Sequence, residues 1–503
     1  MKDRCLAVFV LDVLERDRLE RLWTRGAAGF LAKLALHGGI RDLVGRDLFS
    51  EHGTAWTLFS GVSRAVHGQY DYRQTRPGSY GFMPGDTEAS PEVQPFWWRL
   101  GPQSRLLVVD APETLPRRGL GGVQVADWLT ARAASIRRGC TVEPPTLAAR
   151  FRGPPCAADG GAEYRRDSTV TQDRRVLARF REEIRRKTDV CAQLAKEVRP
   201  ELVVVGFQQL HTAAHRFWRY RRGGPVDLVD AIDQIYCETD QAMAAIAAAL
   251  PDDTDIVVAG LYGMVDLYPT TGLSDAFCRT LGYQVAVDSP PARMRLLDMV
   301  PSSWRAEVGW WLPSRLQETL IANRVAATTD WSRTRAYSTS TLYSTTIRVN
   351  LRGREPEGCV SLGEDYESLL DEIVADLRSL RDVDTGTPAI ARIVLPARHY
   401  GCGPHSMLPD VIAEWTPRDQ FRDSVSHPQA ILKQPSPQYC RDSYHTYEGS
   451  LLGMGPRLPN VQGPIDLLDI APSLLAILGH EVPSAMSGKP TLAGTVDTQN
   501  SHH

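Results

Sequence analysis

The sequence predicts an α/β fold: a large, mostly parallel central sheet with helices on both faces, plus a smaller cap or insert. Three observations carry that expectation. Short apolar, β-branched runs at 6–11, 106–109, 203–206 and 255–259 alternate with longer amphipathic segments, the pattern of strands buried on both faces and joined by crossover helices. The run Val203-Val204-Val205-Gly206 delivers His211 and His215 just past its C-terminal end, where open α/β sheets place their chemistry. From about Thr270 to Ser344 the alternation stops, and Trp304, Trp310, Trp311 and Trp331 mark an aromatic-rich insert. The expected organisation is therefore 1–270 and 346–487 as two parts of one α/β core, 271–345 as the insert, and 488–503 as a disordered tail.

The bulk properties narrow the function classes. A chain of 503 residues can bury a large core. Its formal net charge of -3, with acids and bases interspersed, gives no footprint for nucleic acid or an anionic membrane. Nine scattered cysteines without a C-x-x-C pair point to a reducing compartment rather than a disulfide framework. The apolar run Leu6 to Leu11 is too short for a membrane span and is followed at once by Asp12. These features together predict a cytoplasmic protein acting on a small-molecule substrate.

Taken in order, the first strand ends in Asp12, a carboxylate suited to a cation or a catalytic hydroxyl, or to a helix cap. A helix is expected from about Asp17 to His37, stopped by Gly38-Gly39. Thr57 lies in the stretch from Thr54 to Gly68, where a hydroxyl at the start of a short helix that ends in Gly is either a nucleophile or a cap. The Pro-, Gly- and Arg-rich stretch from Cys140 to about Asp167 reads as a lid or an inert insertion. A long charged helix, about Thr171 to Val198, leads into the central strand. If the residues after Leu210 are helical, His211 and His215 project from one face and can grip one metal ion; the alternative is a pair of hydrogen-bonded core histidines. An Ala-rich helix from Asp227 to Leu250 precedes a strand at Asp255–Ala259 and a turn at Gly260–Met264. Farther on, residues 347–354 read as a strand, Asp365 to Leu380 as a helix, His445 lies just before an apolar strand, and Asp466 to Leu478 is a closing helix.

These residues converge on a family. Asp12, Ala55-Trp56-Thr57, Ser60-Gly61-Val62 with His67-Gly68, and His211-x-x-x-His215 come in the order of the type I phosphodiesterase/nucleotide pyrophosphatase branch of the alkaline phosphatase superfamily, which the chain resembles. Val257 to Met264, Asn350 to Gly358, His445 with Glu448-Gly449, and Asp469 to Leu475 continue the likeness from about Leu6 to Gly488. The resemblance implies an alkaline-phosphatase-like fold and two zinc-like ions that clamp an ester and activate a Thr or Ser nucleophile. It puts one ion on His211, His215 and His445. The other would fall to Asp12, Thr57 and the pair Leu261-Tyr262.

Two departures from the family pattern change the expected chemistry. His211 stands where the family has Asp, so an Asp-His-His site becomes a three-histidine site with open positions. Leu261-Tyr262 stands where the family has an Asp-His pair, and Leu cannot ligate. The expectation is one divalent metal ion on three histidines, zinc or else iron, with Thr57, Asp12 and Tyr262 as candidate catalytic residues. The reaction is hydrolysis or group transfer on a small phosphoryl, sulfuryl or acyl compound. Two alternatives stand beside it: a repurposed lyase, cyclase or iron-dependent redox enzyme, and a binding protein that has lost catalysis.

Overall fold

The computed structural model describes residues 5–50, 52–84, 93–129, 140–152, 168–289, 312, 314–339, 341–405, 407–436, 441–458 and 463–492. Its centre is a ten-stranded sheet. Five parallel strands form the middle, in the spatial order Asp255–Asp266, Leu6–Val13, Leu202–Gly206, Leu106–Val109 and Gly122–Ala126. Antiparallel strands flank these five, Ser450–Met454 beside Asp255–Asp266 and Thr141–Glu143 beside Gly122–Ala126, and the sheet continues past Ser450–Met454 to Arg41–Val44 and Ile465–Asp466.

The apolar runs build this sheet because each has two faces to bury. Alternate residues of the first strand enter different cores: Ala7, Phe9 and Leu11 pack with Val203 and Val205 on one side, while Leu6, Val8 and Val10 pack with Leu202 and Val204 on the other. The first core is closed by helices Val170–Val198 and Ala231–Ala247, the second by helices Thr54–Ser60 and Ile470–Leu478. The long helix starts in a capping box in which the Thr169 hydroxyl and the Gln172 side chain satisfy each other's backbone N–H groups. Farther along, its Lys187 pairs with Asp110 at 2.8 Å, both side chains fully buried.

Several sequence expectations change in the structure. The single helix expected from Asp17 to His37 is two, Arg16–Thr24 and Gly29–Gly38, because Gly26 and Ala28 take left-handed backbone conformations between them. The turn expected at Gly260–Met264 is instead a continuous part of strand Asp255–Asp266. That extension is held by the first strand on one side, with Leu11 opposite Gly260 and Val13 opposite Tyr262, and by strand Ser443–Thr446 on the other. The glycine serves close approach here, since a Cβ at Gly260 would collide with the Leu14 side chain.

The boundary expected at 345 runs through a second sheet. Strand Ser344–Val349 pairs with Ala336–Ser338 and with Val411–Trp415, which in turn pairs with Ile390–Val394. This antiparallel sheet has its own core of Leu273, Phe277, Ile347, Val349, Leu370, Ile373 and Val411. The chain rejoins the large sheet at Ser443–Thr446. Of the four tryptophans assigned to the insert, Trp304, Trp310 and Trp311 lie outside the described residues. Trp331 is buried and stacks on Tyr80 with ring centroids 3.5 Å apart. Most of the expected lid, residues 153–167, lies outside them too, as do 493–503 of the expected tail. The start of that tail is packed: Leu492 is buried, and Thr491 donates to Asp469 at 3.1 Å.

Candidate metal centre

Strands Leu6–Val13, Asp255–Asp266 and Ser443–Thr446 and helix Gln208–Arg216 meet here. Parallel register places Val10 opposite Gly206, so Asp12 at the end of its strand lies beside the first turn of helix Gln208–Arg216, and Gln208 Nε2 donates to Asp12 Oδ2 at 3.4 Å. Only glycine fits at position 206, where a Cβ would strike the Asp110 carbonyl. One turn apart on that helix, His211 and His215 point the same way. Strand Ser443–Thr446 brings His445 opposite Met264 and diagonal to Tyr262.

The result is a compact, buried trio. One ligand atom from each of His211, His215 and His445 lies within 4.8 Å of the others, and the ring centroids are 4.7 to 4.9 Å apart. Asp12 Oδ2 is 3.5 Å from His211 Nδ1. The Tyr262 ring stacks on His445 at 4.7 Å and 11°, fixing that imidazole from one face.

No family model matches the chain, and no curated protein sequence matches it. Solved structures do. Phosphonoacetate hydrolase from Sinorhizobium meliloti 1021, in complex with phosphonoformate, is similar at a TM-score of 0.49 and 14% identity, over 95% of each chain. Murine ectonucleotide pyrophosphatase/phosphodiesterase 5 is similar at a TM-score of 0.47 and 10% identity, over 98% of this chain and 100% of that one. The human counterpart gives 0.46 and 11% over the same shares.

Hydrogen bonding fixes the tautomer of His215. Arg441 Nη1 lies 2.9 Å from His215 Nε2, and a guanidinium can only donate, so Nε2 carries the lone pair. Nδ1 therefore holds the proton and donates it to Ser443 Oγ at 2.9 Å. Neutral imidazole with Nδ1–H anchored and Nε2 as donor atom is the form a metal ligand takes. The residues present thus fit a divalent ion: three buried imidazoles, one held in the ligating tautomer, with a carboxylate beside a second.

Thr57 and Leu261, which the resemblance assigns to a second ion, are engaged otherwise. Leu261 is 1% exposed and packs in the apolar core with Val257 and Leu451, so the position where the resemblance expects a ligand is hydrocarbon. Thr57 lies inside helix Thr54–Ser60 and is 0% exposed. The Gln69 N–H donates to His67 Nδ1, which leaves the ring proton on Nε2 to donate to Thr57 Oγ1 at 2.9 Å. The Thr57 hydroxyl in turn donates to the Gly53 carbonyl. Burial, with Arg64 and His405 nearby, holds the His67 pKa well below the usual histidine range, so His67 is a poor proton acceptor. At the start of this helix the Glu113 carboxylate accepts from the Gly53 N–H and contacts His52 Nδ1, filling the place where a helix terminus would receive an anion.

Arg441 and Ser443 were not singled out in the sequence. Ser443 was within reach, since it precedes His445 by two residues and so shares its face on a strand. Arg441 had no such signal, because it lies before the strand and reaches His215 through loop conformation.

Proposed function

We propose that this chain is a metal-dependent hydrolase or group-transfer enzyme that works with one divalent ion, zinc or else iron, on His211, His215 and His445. The observation that carries this is the convergence of three buried imidazole donors within 4.8 Å from a helix and a distant strand. Such an ion supplies Lewis-acid polarisation of a substrate oxygen and lowers the pKa of a coordinated water.

The chain's own residues divide the remaining work. Ser443 holds the His215 ring through Nδ1, and Tyr262 holds the His445 ring by stacking. Asp12 faces His211 Nδ1 and offers a carboxylate to take a proton from the attacking group. Thr57, with its hydroxyl engaged by Gly53 and His67, takes no part in bond making. Leu261 offers no ligand where the resemblance implies one for a second ion, which supports one-ion rather than two-ion chemistry.

The substrate is a small phosphoryl, sulfuryl or acyl compound. Among the described residues no helix is long and apolar enough to cross a membrane. All seven described cysteines are free thiols, which supports a reducing setting. A three-histidine set also suits iron, so the ion separates hydrolytic from redox chemistry. Elemental analysis of the purified protein with His211→Ala, His215→Ala and His445→Ala decides the matter. About one equivalent of metal, lost in each variant, is the expected result. No metal after reconstitution overturns the proposal, and two equivalents restore a two-ion mechanism.

A further inference from the structure

Arg441 is a guanidinium beside a metal site, and like charges do not share such a space without compensation. Its Nη1 donates to His215 Nε2, the nitrogen that must face the ion because Nδ1 is held by Ser443. Ligation at Nε2 therefore displaces Arg441. The side chain has little room to leave, since Arg441 is 7% exposed. Its backbone is clasped from the second sheet's side: the Arg441 N–H donates to Tyr343 Oη at 2.8 Å, and that hydroxyl donates to the Arg441 carbonyl at 3.4 Å. A displaced guanidinium thus stays within a few ångströms of the dication. An anion between them removes the repulsion, and the fork of N–H donors matches a tetrahedral oxyanion or a carboxylate.

We propose that Arg441 makes metal binding at the histidine trio conditional on an oxyanion: the guanidinium holds His215 when no ion is bound and transfers to an anionic oxygen of the substrate when the ion enters. This rests on the metal reading above and narrows it, because anionic phosphoryl, sulfuryl or carboxylate groups satisfy Arg441 whereas a neutral acyl compound does not. Binding of ion and oxyanion is then mutually reinforcing, each raising the affinity for the other by the same factor.

The test titrates zinc into the metal-free full-length protein against a chromophoric chelator, with inorganic phosphate or with perchlorate at equal ionic strength. Phosphate is expected to tighten zinc binding roughly tenfold, within the ordinary range of such coupling. Arg441→Gln is expected to bind zinc without phosphate at least as tightly as the parent does with it, and to show no phosphate effect. Arg441→Lys, which keeps the charge, retains part of the dependence. Equal zinc affinity of the parent with and without phosphate overturns the role of Arg441 while leaving the metal reading intact. Absence of zinc binding under both conditions removes the metal reading and this proposal with it. A Gln variant that is folded by circular dichroism yet loses zinc as His215→Ala does assigns Arg441 to structure and overturns the proposal. If the Gln variant does not fold, the Lys variant decides: retained phosphate dependence supports the proposal, and its loss overturns it.

Discussion

Two histidine-bearing neighbourhoods of this molecule use the same kinds of side chain to opposite ends. Around Thr57, the bonds of the hydroxyl and of its histidine are local: Thr57 to Gly53 spans 4 residues, His67 to Gln69 spans 2, and Thr57 to His67 spans 10. Around His215, the partners come from far along the chain: Ser443 is 228 residues away and Arg441 is 226, while Asp12 and Gln208 are separated by 196. In the first neighbourhood the Thr57 hydroxyl and the His67 ring find their partners within one loop and its short helices. The second exists only because the sheet gathers distant segments, and its imidazoles converge on a common point. Local closure marks a structural network; long-range convergence of ligand atoms marks a candidate site.

The contrast can be broken most directly at the histidines. His445→Gln is expected to cost more than about 100-fold in metal affinity, above the range of outer-shell losses, whereas His67→Gln leaves metal content unchanged. Metal retained in the first variant, or lost in the second, would reverse the assignment of the two neighbourhoods. Next in size is Ser443→Ala. It frees the His215 ring without removing a ligand, and a loss of about 10- to 100-fold in metal affinity is expected in the same chelator competition.

Thr57→Val sharpens the comparison from the other side. It leaves the buried His67 Nε2–H without its acceptor and is expected to lower the unfolding free energy by about 1–3 kcal/mol in urea titration, with turnover retained. Abolished turnover in a folded Thr57→Val protein would make Thr57 the nucleophile after all.

The smallest effect is the pH response of the metal-free protein. His67 and His405 are both held below the usual histidine range, chiefly by burial, so the folded state favours their neutral forms. For a depressed pKa the stabilising contribution is complete above the unfolded value of 6.5 and is lost as pH falls toward the folded values. Stability is therefore expected to decline on acidification below that point, by no more than about 1.4 kcal/mol per pH unit for each histidine. His67→Gln combined with His405→Gln should flatten the decline, and an unchanged slope would place its origin elsewhere.

Much of this was legible in the sequence because it was written in periodicity. The apolar runs at 6–11 and 203–206 are buried on both faces, and that requirement shows in composition alone. His211 and His215 were legible as a pair by helical spacing. What stayed hidden depended on pairing at a distance. Gly260 and Gly263 carry the composition of a turn, yet the strand runs through them because Leu14 and Thr446 crowd those positions. The extent of the insert was hidden because Ser344–Val349 finds its partner in Val411–Trp415, beyond the reach of any local window. Thr57 was ambiguous for the same reason: a hydroxyl in a short helix looks alike whether or not His67 and Gly53 have claimed it.

Strand Ser443–Thr446 returns to the large sheet only after the whole second unit has been laid down, and this sets the order of events during synthesis. A ribosome releases Asp12, His211 and His215 long before His445, so the nascent chain holds an incomplete ligand set while most of its residues are already outside. The ion proposed above would join His215 to His445 as a clip across a long loop, and loop-closure entropy grows with loop length. On the proposed one-metal reading, chains truncated before residue 445 should not acquire the ion.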